Sequence, residues 1–180
     1  MTRIEEGYLA FEFGQRWNVT KLDEHRDYRE RIEKLEGTKA VDFVGILDKR
    51  DLYLIEVKDF RGHRIKNKDR LLKGKLPIEV AQKVRDSLAC IIGAYHTSNE
   101  PEYWQSHVKL LCDRHRNIKV VLWLENDPLP SHRPLRQKTR ASIRGKVFKR
   151  KLVWLTSHVL VCGKDRGALP DVTVNNLPRN

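Results

Sequence analysis

Asp42 is the second residue of the run VDFVGIL, and Glu56 and Lys58 sit two apart in LYLIEVKDF, with thirteen residues between the carboxylates. Charges in an apolar strand are costly unless partners compensate them. Two carboxylates offer oxygen ligands to a hard divalent cation such as Mg²⁺, which keeps several waters besides. Such a cation polarises a phosphoryl oxygen and acidifies a bound water. A lysine beside it can orient that water or neutralise charge growing on the phosphate. The three side chains therefore have the parts of a phosphodiester-cleaving site, and the carbonyl of Val57 could add a further ligand. The competing reading is a set of ordinary ion pairs at a wet surface.

Residues 40–47 and 52–60 read as strands, joined by the tight connection DKRD. Strand residues alternate faces, so Tyr53, Ile55 and Val57 project one way and Leu54, Glu56 and Lys58 the other. A hairpin midpoint near residue 49 or 50 sets position 42 roughly opposite 57, close to Glu56 and Lys58. Downstream, Pro77 suits a first helical turn, and Val80, Val84, Leu88, Ile91, Ile92 and Tyr95 recur at helical intervals as one buried stripe. Glu79, Gln82, Lys83 and Asp86 share the opposite side.

Elsewhere, YLAFEF and RWNVTKLD read as an opening hairpin, and DEHRDYRERIEKLEG as a helix ending at Gly37. A second helix over 103–115, an apolar strand over 118–127, a basic helix over 135–151 and a strand over 152–163 follow. The tail holds one short extended piece. The order predicts an α/β domain with a mixed central β-sheet flanked by helices.

The "VD" at 41–42 followed by "EVK" at 56–58, between hydrophobic strands and before a helix, resembles the PD-(D/E)XK nuclease superfamily. The likeness covers about residues 25–125, with Val41 in place of the proline of the family name. It implies a restriction endonuclease-like core and a metal-dependent deoxyribonuclease. Asp42, Glu56 and the Val57 carbonyl would hold Mg²⁺ or Mn²⁺, and Lys58 would be the catalytic lysine. Members often carry a further acid on the helix before the core hairpin, for which Glu24, Glu30 and Glu33 are the candidates. The following helix often contributes a Gln or Lys, here Gln82 and Lys83. The chain then divides as one domain, 1–180: an N-terminal hairpin (1–22), a catalytic core (23–125), and a basic helix with C-terminal strands (126–180). The alternative is a catalytically silent nuclease-like module that binds nucleic acid or protein.

The formal net charge of +12 over 180 residues, with a pI near 9.8, attracts polyanions. Arg61, His63, Arg64, Lys66 and Lys68 follow the charged strand directly and suit phosphates flanking a scissile bond. The stretch Arg133 to Lys151 could track a nucleic-acid backbone. DNA is the expected partner, with RNA left open, and a homodimer or a targeting protein would supply specificity that a small core lacks. Cys90, Cys112 and Cys162 form no CxxC, and Cys112 with His115 is half a zinc site without a second half. A reducing cytoplasm is therefore expected, the more so because no apolar run nears the ~18 residues of a membrane span and the first residues lack signal-peptide order. The four Trp residues, Trp17, Trp104, Trp123 and Trp154, read as core.

Overall fold

A computed structural model describes residues 1–61, 74–126, 145–165 and 167–178. Their mixed α/β architecture has two sheets. Strands β3 (Trp17–Lys21), β4 (Phe43–Leu47), β5 (Asp51–Asp59), β6 (Asn117–Glu125) and β7 (Val159–Cys162) form a five-stranded sheet in that order. The β3–β4 and β4–β5 pairs are antiparallel, and β5–β6 and β6–β7 are parallel. Strands β1 (Thr2–Glu6), β2 (Leu9–Phe13) and β8 (Val172–Asn176) form a separate antiparallel sheet with β2 in the middle. Four helices complete the described chain: α1 (Arg26–Arg29), α2 (Lys75–Thr97), α3 (Pro101–Cys112) and α4 (145–152).

The alternation of β5 splits the core. Leu52 and Leu54 join Val44, Ile46, Leu122 and Leu124 under Val80, Val84 and Ile91 of α2, Trp104 of α3 and Phe148 and Leu152 of α4. Tyr53, Ile55 and Val57 face the other way, with Phe43 and Trp123, against Leu9, Phe11 and Phe13 of the small sheet. Phe11 meets Phe43 and Trp123 edge-on, at centroid distances of 5.1 and 5.4 Å. Edge-on rings are favoured by the aromatic quadrupole. The larger sheet is thus covered on both faces, which explains why β5 and β6 are apolar nearly throughout.

The β4–β5 connection turns through Asp48 and Lys49, both in the left-handed region at φ 53° and 54°. That pair of conformations matches the right-handed twist of the strands it joins. Asp48 tolerates it and is held by Arg16, whose Nε donates to Oδ1 at 2.8 Å.

Several expectations change. The opening hairpin does not exist: β2 pairs with β1 and β8, while β3 pairs with β4. The helix expected over 23–37 shortens to α1 and a single 3₁₀ turn, Ile32–Lys34. Its charged residues face solvent and bury little besides Tyr28 and Asp27, too little to hold a long helix. The strand expected over 152–163 begins only at Val159, because Leu152 ends α4 and is itself buried. Trp154 is 54% exposed and Ile92 48%, so neither belongs to the core. Among the described residues, no helix is long and apolar enough to cross a membrane.

His107 of α3 is 1% exposed, stacked near Tyr103 and Trp104, and burial lowers its pKa to about 4. A histidine kept neutral in the folded chain contributes stability that is present above its ordinary value of about 6.5 and lost as pH falls toward 4. Measured against His107→Gln, which lacks the titrating imidazole, the wild type should therefore lose the equivalent of about 2 kcal/mol of stability in urea melts between pH 7 and 4.5.

Candidate active site

Asp42 lies one residue before β4, and its place is fixed from three directions. Asp86 and Ser87 of α2 accept from the backbone N–H groups of Lys39 and Val41, at 3.2 and 2.9 Å. The Tyr28 hydroxyl accepts from Ala40 N–H at 3.1 Å, and Leu22 N–H donates to the Asp42 carbonyl at 2.9 Å. The β4–β5 register pairs Phe43 with Ile55, so Asp42 falls opposite Glu56. Its carboxylate turns across that boundary and accepts the Val57 N–H at 2.6 Å through Oδ2. In a strand the N–H and C=O of one residue point to the same neighbour. The Val57 carbonyl therefore lies on the β4 side of β5, the side of Asp42.

Glu56 is fully buried on the helix-covered face of β5. Lys58 Nζ lies 2.6 Å from its Oε1, and Lys83 Nζ of α2 lies 2.7 Å from the same oxygen. Lys83 also reaches Asp42 Oδ1 at 3.4 Å, so one ammonium bridges both carboxylates. Glu79, one turn before Lys83, stands 3.7 Å from Lys58. Burial pushes the Glu56 carboxyl up to about 7, with the nearby Asp42 charge adding and Lys58 and Lys83 opposing. Against the burial that would lower it, Glu56 and Asp42 hold Lys83 above the usual lysine value. The lysine side chains stay 20% and 13% exposed, and through them the cluster meets solvent.

Two acids missed in the sequence complete the cluster. Carboxylate oxygens of Glu6, Asp23 and Asp42 lie within 4.8 Å of one another. Burial, then the charges of Asp42 and Glu6, raise the Asp23 carboxyl to about 6. Its Oδ1 is buried without a hydrogen-bond partner. Lys21 Nζ pairs with Glu6 and Glu24 at 2.9 and 2.8 Å. Of these described groups, the carboxylates of Glu6, Asp23, Asp42, Glu56 and Glu79 face the ammoniums of Lys21, Lys58 and Lys83. That leaves a local negative excess inside a chain of net charge +12. Clustered hard oxygens, one of them unsatisfied, fit a divalent cation.

The other expected residues are placed differently. Glu24, Glu30 and Glu33 are exposed, and none joins the carboxylate cluster. Gln82 is exposed and lines a groove with Ile78 and Ala81 beside the cluster. Arg61 is engaged within the chain, donating to Asp59 at 2.8 and 2.6 Å and to Asn176 Oδ1 at 2.6 Å. His63, Arg64, Lys66 and Lys68 lie outside the described residues.

The missing acids had unequal signals. Once β3 is paired with β4, Lys21 faces Phe43, and Asp23 must lie beside Asp42. Glu6 arrives only because β1 of the other sheet passes near Lys21, whose Nζ also donates to the Glu5 carbonyl at 2.8 Å. Nothing in the spacing announces that approach.

Asp23 makes a testable pH dependence. A carboxyl raised in the folded chain destabilises it progressively as pH rises from about 4 to 6. Without divalent cations, Asp23→Asn should raise stability by roughly 1 kcal/mol above pH 6, allowing for solvent screening. The gain should vanish below about pH 4 in urea melts.

Comparison with known proteins is sparse. No family model matches the chain, and no solved structure matches it. The chain is similar to a cysteine–tRNA ligase of Neisseria meningitidis, 31% identical over 152 residues, taking in 69% of this chain. It spans only 21% of that protein.

Proposed function

We propose that this chain is a metal-dependent nuclease of the PD-(D/E)XK type, with a restriction endonuclease-like core, that hydrolyses phosphodiester bonds in DNA. The observation carrying this reading is the meeting of Asp42 and Glu56 across the β4–β5 register, with Lys83 between them and Lys58 alongside. Asp42, Glu56 and the Val57 carbonyl would hold Mg²⁺ or Mn²⁺, which when bound polarises the phosphoryl oxygen and lowers the pKa of a coordinated water.

The chain's own residues have separable roles. Lys58, the more exposed of the two lysines, donates toward the attacking water or a phosphate oxygen. Lys83 ties α2 to both carboxylates and so fixes their separation. The Val57 N–H holds the Asp42 carboxylate in one orientation. The overall positive charge draws the polyanion to a local site that is itself acidic. A cytoplasmic setting accords with this substrate.

RNA is the second substrate to try, because the partial relative is a tRNA ligase by name. The test is a panel of linear, circular and single-stranded DNA and tRNA, incubated with Mg²⁺, Mn²⁺ or EDTA. Divalent-dependent cleavage of DNA supports the reading. Cleavage of tRNA alone would move the substrate to RNA. Binding without cleavage under every condition would leave a silent nucleic-acid-binding module.

A further inference from the structure

We propose that the groove between α2 and α4 takes an unpaired nucleotide of the substrate, its base stacked on Trp154 and its phosphates met by Lys151 and Arg85. The groove is open to solvent, has a volume of about 370 Å³ and is lined by Ile78, Ala81, Gln82, Arg85, Lys151 and Trp154. Trp17, Trp104 and Trp123 are buried, and their indole N–H groups bond to Pro170, Asp27 and Glu125. Trp154 differs, with 54% of its surface open, next to Ile78 at 44%. It follows α4 directly: Phe148 and Leu152, at 2% and 0% exposure, anchor that helix in the core, Leu152 two residues before the tryptophan.

Charge chooses the occupant. Residues 145–154 carry Lys146, Lys149, Arg150 and Lys151 and no acid, and on the opposite wall stands Arg85, which donates to Asp86 Oδ1 at 2.8 Å while its side chain stays 65% exposed. Lysine is depleted in the cores of protein interfaces. An aromatic face flanked by cations is instead how single strands are held, because every base has a π-face and every linkage a charge. Position agrees as well. Ile78, Gln82 and Arg85 recur along α2 on the face adjoining that of Glu79 and Lys83, so a strand in the groove runs beside the carboxylate cluster.

The inference rests on the nuclease reading for its substrate, whereas its test is binding, read without cleavage. Asp42→Asn protein in EDTA would be titrated with a short fluorescein-labelled single strand and with the blunt duplex of the same sequence. The single strand should quench tryptophan emission, and Trp154→Phe should remove that quenching. Trp154→Ala should weaken single-strand binding about tenfold, with Phe restoring most of it and duplex affinity little changed. Unchanged single-strand affinity in Trp154→Ala would overturn the proposal, as would equal loss on both ligands. So would a wild-type dimer that Trp154→Ala converts to monomer, since a second copy would then cover this face. Thermal melts of both variants should match the parent, because the ring is exposed. If binding behaves as stated but Asp42-intact protein cuts nothing, the nuclease reading fails while the groove stands.

Discussion

Asp42→Asn is expected to lower divalent-dependent cleavage by about a thousandfold, the scale seen when a preorganised electrostatic contact is lost, while leaving the chain at least as stable. Asparagine keeps an oxygen for the Val57 N–H, now 2.6 Å from Oδ2, so the local backbone has no reason to move. What disappears is one negative charge among Glu6, Asp23 and Glu56. Both Asp23 and Glu56 are raised in part by that charge, and both should ionise more readily without it. Lys83 gives up its 3.4 Å contact yet keeps Glu56 at 2.7 Å. Single-turnover cleavage and thermal melts on one preparation separate the two effects. Wild-type cleavage by the variant would place the chemistry elsewhere.

Lys58→Met should lower cleavage about a hundredfold while metal affinity holds or strengthens. The ammonium is 2.6 Å from Glu56 Oε1 and 3.7 Å from Glu79, so it offsets carboxylates that a cation would otherwise neutralise. Removing it deepens the local negative excess, which favours the ion. The same change removes the donor that would meet the phosphate or its attacking water. Opposite movements of rate and affinity would mark Lys58 as acting on the substrate. A parallel fall in both, together with a lower melting temperature, would mark it as part of the structural support of Glu56. Methionine is unbranched like the lysine stem, so packing is largely preserved.

The part of this site legible in the sequence was the part set by short-range geometry. Alternation along LYLIEVKDF and the length of the hairpin connection bring Asp42 to Glu56, within one residue of where counting from a midpoint puts it. Helical spacing expects Glu79, Gln82, Lys83 and Asp86 opposite the stripe of Val80 and Val84, but only Gln82 is exposed: Lys83 flanks the stripe and meets both carboxylates over the sheet, and Asp86 is buried. The mixed α/β class followed from the same periodicities. Spacing could not show which strands join which sheet. LAFEF and WNVTK look like partners across a glycine, but the aromatic faces of Phe11 and Phe13 are buried against Phe43, Trp17 and Trp123 of the other sheet. That packing separates β2 from β3, and with it Asp23 and Glu6 come to the site while Glu24, Glu30 and Glu33 stay in solvent. Trp154 reads as core in the sequence because its neighbours Leu152 and Leu155 are apolar. The helix end turns the ring outward, a matter of tertiary direction rather than composition.

Calorimetric titration of Mn²⁺ into the wild-type chain and into Asp42→Asn at neutral pH is the most direct test of whether residues 42, 56 and 57 form one cation site. The expected result is saturable binding to the wild type that weakens at least about tenfold in the variant, as when a charged ligand is withdrawn. Equal binding by both proteins, or none by the wild type, would contradict the assignment of these oxygens to a metal.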